Sequence, residues 1–521
     1  MDVPVAAARR VLPAGDRAVL VELPDLAAAL GLHARLEALQ MPGLEQLLPA
    51  ARTLLVGFDP RRIRRGELLE RLDAVSAAPV DRADGAVVEV PTVYDGEDLA
   101  EMAELLGMSP EALARRHSGT DWTAGFAGFA PGFVYLVDGD PVFDVPRRST
   151  PRTRIPAGSV ALAGRWSGVY PRESPGGWQL IGRTPLRMWD AAREAPAAIR
   201  PGDRVRFVPA RDEPLRAAAP VAAPLQQDGP ALVVERPGLR TLVQDAGRPG
   251  LEALGVAASG ALDGPAMRLA NRLVGNPPGA AVLEIPLGGV RLRARGPLVV
   301  AVTGARLPIA VLRGERRREV LDQRAVALDD DDVLELGEPA AGRLAVLALR
   351  GGIGVPAVLG SRATDTLAGL GPDPVVAGDA LPVGAEPVGC TAGPEPWPAD
   401  PDEELRVPVL LGPRDDWFDT ASLERLVEQP WTITPLADRV GLRLEGAEPL
   451  SRAVDGELPS EGAATGSVQV PPSGQPMIFL ADHPSTGGYP IVAVVREVAL
   501  ASLAQARPGT RIRFVIDPPP R

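Results

Sequence analysis

The 521-residue sequence contains no lysine, so all 55 of its basic residues are arginine. That absence removes several chemistries at once. A Walker-type phosphate loop needs its lysine, a Schiff-base enzyme needs an amine nucleophile, and covalent biotin has no attachment point on this chain. There is one cysteine, Cys390, so no intramolecular disulfide can form; this fits a reducing compartment. The three histidines, His33, His117 and His483, show no HxxxH spacing and there is no CxxC, which argues against structural zinc. No stretch of 18 apolar residues occurs, so no membrane span is expected. The first residues lack the basic, apolar and cleavage regions of a secretory signal, and a cytoplasmic location is expected. A net charge of −12 argues against nucleic acid or an anionic membrane surface as partner.

What is present divides the chain into several parts, as its length leads one to expect. Residues 1–85 read as a small α/β domain, with a helical period over Asp25–Leu39 behind a capping Asp25 and a second over Arg65–Val75. Residues 86–210 carry short apolar runs split by Gly and Pro, the pattern of a barrel or sandwich. Residues 211–229 are rich in Ala and Pro without periodicity and read as a linker. A β-rich region follows, with a weaker boundary near 396–405, giving a first β-barrel domain at 230–400 and a second at 401–521.

Three ordered blocks recur. Gly158–Val160 and Gly466–Val468 both read GSV; SPGGW at Ser174–Trp178 is echoed by STGGY at Ser485–Tyr489; PGDRVRFV at Pro201–Val208 is echoed by PGTRIRFV at Pro508–Val515. The ends of the two halves therefore read as copies of one β-rich domain. Two such copies could pair about a pseudo-two-fold axis.

Several segments have the composition of a binding site. PRRSTPRTR, Pro146–Arg154, opens a stretch (145–211) with 13 arginines against four acids. Arg147, Arg148 and Arg152 suit a carboxylate or phosphate; the bland alternative is a solvated run of ion pairs. GFAGFAPGFVYL, Gly125–Leu136, concentrates four aromatic rings in a chain that is 4% aromatic, and Gly128, Phe129, Pro131 and Gly132 could line a ligand or form a bulged core strand. The paired glycines of the repeated loops, with Ser159, Ser174, Gly176, Gly177, Trp178, Gln469, Thr486, Gly487, Gly488 and Tyr489, could form anion nests or hairpin turns the fold requires. Gln244, Asp245, Arg248, Asp263 and the chain's two asparagines, Asn271 and Asn276, sit in a loop-and-helix context as site members or as caps. His117, Asp245, Asp482 and His483 are the candidates for proton transfer. The run DDDD at 329–332 lacks calcium-loop spacing and reads as a charged hairpin turn.

The motifs GFAPGFVYL, VPRRSTPRTRIPAGSVALAG and YPRESPGGWQLIGRTPL resemble the family called allophanate hydrolase subunit 1, or the B component of ATP-dependent 5-oxoprolinase. TLVQDAGRPG, SGALDGPAMRLANRLVGN, GGIGVPAVLGSRAT, DRVGLRLEG (which contains Arg439), GSVQVPPSGQP and ADHPSTGGYP resemble allophanate hydrolase subunit 2, or the C component. The resemblance spans nearly the whole chain outside the linker. It implies a mainly β protein with α/β content: tandem cyclophilin-like β-barrels preceded by a small α/β domain. It also implies a fused enzyme component that works with a separate lactam-utilisation protein, the A component, opening 5-oxoproline to L-glutamate with ATP and Mg2+. A homo-oligomer is compatible with this reading. Family members similar to ADHPSTGGYP often carry another residue where this chain has His483. Two alternatives accompany this reading. One is a biotin-dependent carboxyltransferase acting on urea or another amide, with the biotin on another chain; the other is a non-catalytic kinase-inhibitor-like regulator.

Overall fold

The computed structural model describes residues 9–78, 85–137, 139–148, 150–211, 229–398 and 404–517. Most of the linker expected at 211–229 lies outside the described residues, as does part of the 396–405 boundary.

In the first domain, helix α1 (Leu26–Leu39) starts where Asp25 accepts the Ala28 N–H at 2.8 Å and ends at Gln40 in the left-handed region. With α2 (Arg65–Ala74) it covers one face of a four-stranded sheet, ordered Arg10–Pro13, Ala18–Glu22, Thr53–Phe58, Leu44–Pro49. Every residue of Thr53–Phe58 is buried because the other face is covered too. Leu20, Leu48 and Leu55 cluster there against Ala464 of the last domain.

The next domain is a seven-stranded sheet ordered Val87–Thr92, Arg204–Pro209, Trp122–Ala127, Val134–Val137, Trp166–Val169, Ser159–Ala163, Gln179–Arg183. Reciprocal 2.8 Å bonds between Val93 and Arg183 join its edges and close it into a barrel. The last domain is a closed barrel in the corresponding order: Glu404–Leu411, Arg511–Ile516, Trp431–Ile433, Gly441–Glu445, Met477–Phe479, Ser467–Gln469, Ile491–Val495. In each barrel the first pair of strands is parallel. The recurring blocks are thus the visible part of a duplicated fold.

Two details equate the copies residue by residue. Helices α3 (Leu99–Leu105) and α4 (Pro110–Ser118) precede the Trp122 strand, and α4 matches α6 (Thr420–Glu428) in the second copy. The fully buried Trp122 and Trp431 donate their indole N–H to the carbonyls of His117 and Leu426, each five residues back. The second detail is an ion pair of reversed sign. In the first barrel Asp98 accepts from Arg148 at 2.6 Å and from Arg152 at 2.8 Å, and Arg152 lies opposite Gly176 of SPGGW. In the second, Arg414 binds Glu461, and Glu461 lies opposite Gly487 of STGGY.

Residues 229–398 differ from the barrel expected there. They form a six-stranded and a five-stranded sheet that share one apolar core, the arrangement of a β-sandwich. Helix α5 (Gly264–Val274) packs on the five-stranded sheet, and α7 (Glu497–Gln505) of the last barrel reaches the same domain. The four aspartates do not cap a hairpin. Their flanking strands, Val326–Leu328 and Val333–Leu336, belong to different sheets. The run turns the corner between them, with Asp332 held by Arg313 at 2.6 and 2.7 Å. Among the described residues no helix is long and apolar enough to cross a membrane.

Candidate functional site

Three segments distant in sequence converge on the sandwich. From the first barrel, the loop between Trp122–Ala127 and Val134–Val137 meets the turn at Leu254–Gly255, where Gly132 N–H reaches the Leu254 carbonyl at 3.3 Å. A Cβ at Gly128 would lie 2.0 Å from Thr486 Oγ1, so only glycine lets this loop touch the last barrel. From the last barrel, Asp482 and Arg439 lock onto the sandwich. Asp482 accepts from Ser259 Oγ at 2.6 Å, Thr366 N–H at 2.9 Å, Thr366 Oγ1 at 2.8 Å and Arg439 Nε at 2.9 Å. Arg439 also binds Glu284 and the Gly260 carbonyl.

Beside this lock lies a group of buried polar atoms without partners. Arg248, 2% exposed, donates one Nη to the Ala363 carbonyl, while its Nε and other Nη have no partner. Gln244, fully buried, donates to the Thr364 carbonyl at 2.8 Å and leaves its Oε1 bare. Asp365, 1% exposed, takes the Leu367 and Ala368 N–H groups at 3.0 and 2.8 Å on Oδ1 and leaves Oδ2 bare. The Nε of Arg172, on a loop of the first barrel, is also buried and unpaired. Its Nη1 lies 3.3 Å from where a Cβ of Gly369 would stand. Buried donors and acceptors are normally satisfied by protein or ordered water, so this concentration makes the place a candidate binding site.

Electrostatics agree with that geometry. Burial, then the neighbouring Asp482 charge, pushes the Asp365 carboxyl up to about 6, against the pull of its backbone N–H partners and Arg248. Burial holds Arg248 and Arg172 below the usual guanidinium range, and Asp365 opposes this at both.

Comparison with known proteins assigns the two halves. The carboxyltransferase domain, subdomains A and B, matches residues 254–516, and subdomains C and D match residues 9–199. The C-type subunit of 5-oxoprolinase from Escherichia coli K12 is 37% identical over 296 residues, 54% of this chain and 90% of that protein. The B-type subunit of 5-oxoprolinase from Escherichia coli O157:H7 is 36% identical over 211 residues, 38% of this chain and 94% of that protein. The chain belongs to this family, as a fusion of the B and C types. The crystal structure of TTHA0988 superposes with a TM-score of 0.83 at 38% identity, covering 96% of this chain and 100% of that one. Urea amidolyase of Lachancea kluyveri is 31% identical over 315 residues, which span 55% of this chain and 17% of that enzyme.

The converging loops therefore join the B-type half to the C-type half. Of the residues singled out from the sequence, Gly128, Gly132, Gln244, Arg248, Arg439, Asp482 and Thr486 meet at or beside this junction. The four proton-transfer candidates are corrected by their surroundings. His117 is fully buried between Tyr94 OH at 2.8 Å and Ser167 Oγ at 2.9 Å, and burial pushes it down to about 3. It occupies the position of Leu426 in the second barrel and is a packing residue. Asp245 staples a loop through Gly247 N–H, Ser361 Oγ and Arg362 N–H. Asp482 has both oxygens filled in the lock. His483 stacks on Phe479, donates from Nδ1 to the Pro484 carbonyl and accepts from Thr465 Oγ1 on Nε2.

The arginine island is also largely spent internally. Arg148 and Arg152 hold Asp98, while Arg147 stands 4.0 Å from Glu457. The ≈ 580 Å³ cleft beside Arg147 and Arg148 is lined by Glu101 and Glu104 as well, so its charge is mixed. SPGGW and STGGY are not hairpin turns: Ser174–Gly176 and Thr486–Gly487 are short strands pairing with Arg152–Ile155 and Glu461–Gly462.

The remaining candidates have partners within the fold. Phe129 and Trp178 pack edge-on against Phe133, within a cluster that buries Pro131 alongside. Ser159 and Ser174 donate to the Pro156 and Arg172 carbonyls, and the Gly177 carbonyl accepts the Arg148 N–H. Gln469 lies against Gly487 and donates to the Tyr489 carbonyl at 3.4 Å; Gly488 approaches Leu458, and Arg452 stands over the Tyr489 ring. Asp263 caps α5 through Ala266 N–H and accepts from Gln505. Asn276 donates to Asn271 and to the Leu349 carbonyl, and Asn271 donates to the Ala280 carbonyl; the pair ties α5 to the sandwich. Sequence reasoning misses Asp365 and Arg172. The recognisable motif GGIGVPAVLGSRAT stops one residue short of Asp365, and YPRESPGGW contains Arg172 in a region crowded with other arginines.

Proposed function

We propose that this chain is the B–C component of an ATP-dependent 5-oxoprolinase, which opens 5-oxoproline to L-glutamate together with a separate lactam-utilisation protein. The observation that carries the reading is the junction itself. Halves related to two separate 5-oxoprolinase subunits meet around buried, partnerless polar groups that include a guanidinium, Arg248. A small anionic amide would complement such a set.

ATP and Mg2+ belong to this proposal through the family resemblance. The chain has no lysine for a phosphate loop, and no group of three or more His, Cys, Asp or Glu is placed to hold a metal among the described residues. These residues do not fit a self-contained nucleotide–magnesium site, and we assign the nucleotide to the assembled complex with its partner. The carboxyltransferase reading is favoured by the match to urea amidolyase. Urea, being neutral, would offer no anionic acceptor to the unpartnered Nε and Nη1 of Arg248.

The test is a coupled assay of the purified chain with the cognate lactam-utilisation protein, 5-oxoproline, ATP and Mg2+, following glutamate and ADP. Glutamate formation that needs both proteins supports the proposal. Absence of both products, together with carboxylation of urea when a biotinylated partner is supplied, overturns it.

A further inference from the structure

We infer that Arg172 of the B-type half and Arg248 of the C-type half form one carboxylate clamp, with Gln244 and Asp365 reading the amide beside it, so that neither half holds a complete binding site. The inference deepens the proposed function and rests on it for the identity of the ligand.

Its ground is the chemistry of the bare atoms. Arg172 Nε, Arg248 Nε and Arg248 Nη1 are donors without acceptors, and Gln244 Oε1 is an acceptor without a donor. Asp365 Oδ2 can be either, according to its protonation. These atoms belong to one place. Arg248 and Gln244 donate to the carbonyls of Ala363 and Thr364, the two residues before Asp365, and Arg172 Nη1 reaches Gly369, whose N–H bonds to the Asp365 carbonyl at 2.9 Å. A ligand that satisfies them presents an anionic group to two arginines, an N–H to Gln244 and, in the protonated state of Asp365, a carbonyl oxygen to its carboxyl. A γ-lactam bearing an α-carboxylate has these three groups on one small ring. Urea has the N–H and carbonyl but no anion, and a simple carboxylate has the anion but no amide.

The B-type contribution depends on close packing. Arg172 follows Pro171 on a loop whose tip abuts Gly369, and Gly369 has φ +65°. A side chain at that position would meet the guanidinium, so the glycine leaves room for the arginine to reach across the junction.

The experiment compares the whole chain with Arg172→Gln and Arg172→Lys. Calorimetric titrations use 5-oxoproline and 2-pyrrolidinone, the same ring without its carboxylate, and the coupled assay gives kcat and KM. Loss of a charge-assisted contact predicts 5-oxoproline binding weaker by roughly ten- to a hundredfold in Arg172→Gln. KM should rise accordingly while kcat changes less. Lysine should restore part of the loss, and 2-pyrrolidinone affinity should not move. A merely structural arginine would weaken both rings equally, and that result overturns the clamp, as does unchanged 5-oxoproline affinity in Arg172→Gln. The clamp and the reaction are separable. Arginine-dependent binding of 5-oxoproline without turnover retains the clamp and refutes the proposed function; turnover insensitive to Arg172 does the reverse.

Discussion

Replacing Asp365 by asparagine should make the protein more stable and less active, and the gain in stability should depend on pH. The folded chain keeps the Asp365 proton up to about pH 6, whereas the ordinary carboxyl value is 3.8. Between those values the folded state binds more protons than the unfolded one, so stability falls as pH rises, and the deficit is complete above pH 6. A displacement of about two units, at 1.36 kcal/mol per unit, makes the ionised Asp365 cost up to about 3 kcal/mol at pH 8. At pH 5 the cost is about half of that, and below pH 3.8 it vanishes. Asparagine keeps an oxygen for the Leu367 and Ala368 N–H groups and carries no charge beside Asp482. Urea unfolding of wild type and Asp365→Asn at pH 5 and pH 8, followed by tryptophan fluorescence, reads the difference directly. The expected result is a stabilisation that roughly doubles from pH 5 to pH 8, with glutamate formation strongly reduced at both. A variant less stable than wild type, or a stability difference that does not change with pH, would refute the reasoning, because it would mean that the nearby guanidiniums outweigh burial and Asp482 at this carboxylate.

Other substitutions test the rest of the site. Arg439→Met strands the buried carboxylates of Asp482 and Glu284 and should cost about 3–5 kcal/mol in the same unfolding experiment; a loss below about 1 kcal/mol would show that the lock is not needed. His117→Leu places in the first barrel the residue type found at Leu426. Stranding the Tyr94 and Ser167 hydroxyls should lower stability by about 1–3 kcal/mol with kcat and its pH profile unchanged, and a shifted profile would return His117 to the chemistry. Gly128→Val drives a side chain into Thr486 and should destabilise the junction by about 1–3 kcal/mol, seen as faster proteolysis between the halves.

The sequence carries the local features of this fold well. α1 and α5 begin at the capping aspartates, Asp25 and Asp263, because a cap and an apolar stripe are short-range signals. The duplication is legible because turns and strand ends repeat their own residue types. The site is less so. Rarity draws attention to Asn271 and Asn276, and their carbonyl bonds show that rare residues can be mortar. His117, Asp245, Asp482 and His483 have the right chemistry for proton transfer, but their free valences are filled by partners from 1 to 223 residues away. What distinguishes Asp365 is one buried oxygen that no hydrogen bond reaches. Arg248 becomes its neighbour only when the sandwich has folded, and Arg172 only after the first barrel has docked on it, and no pattern along the chain records that.

The reversed ion pairs of the two barrels have a consequence for folding. A chain with two copies of one fold must keep each short strand with its own barrel. If Glu461–Gly462 docked where Arg152–Ile155 belongs, Glu461 would face Asp98; the opposite exchange would set Arg152 against Arg414. Burying like charges together costs several kcal/mol, whereas the correct partners meet as opposites. The polarity of each pair acts as an address, and it tells the two barrels of one molecule apart.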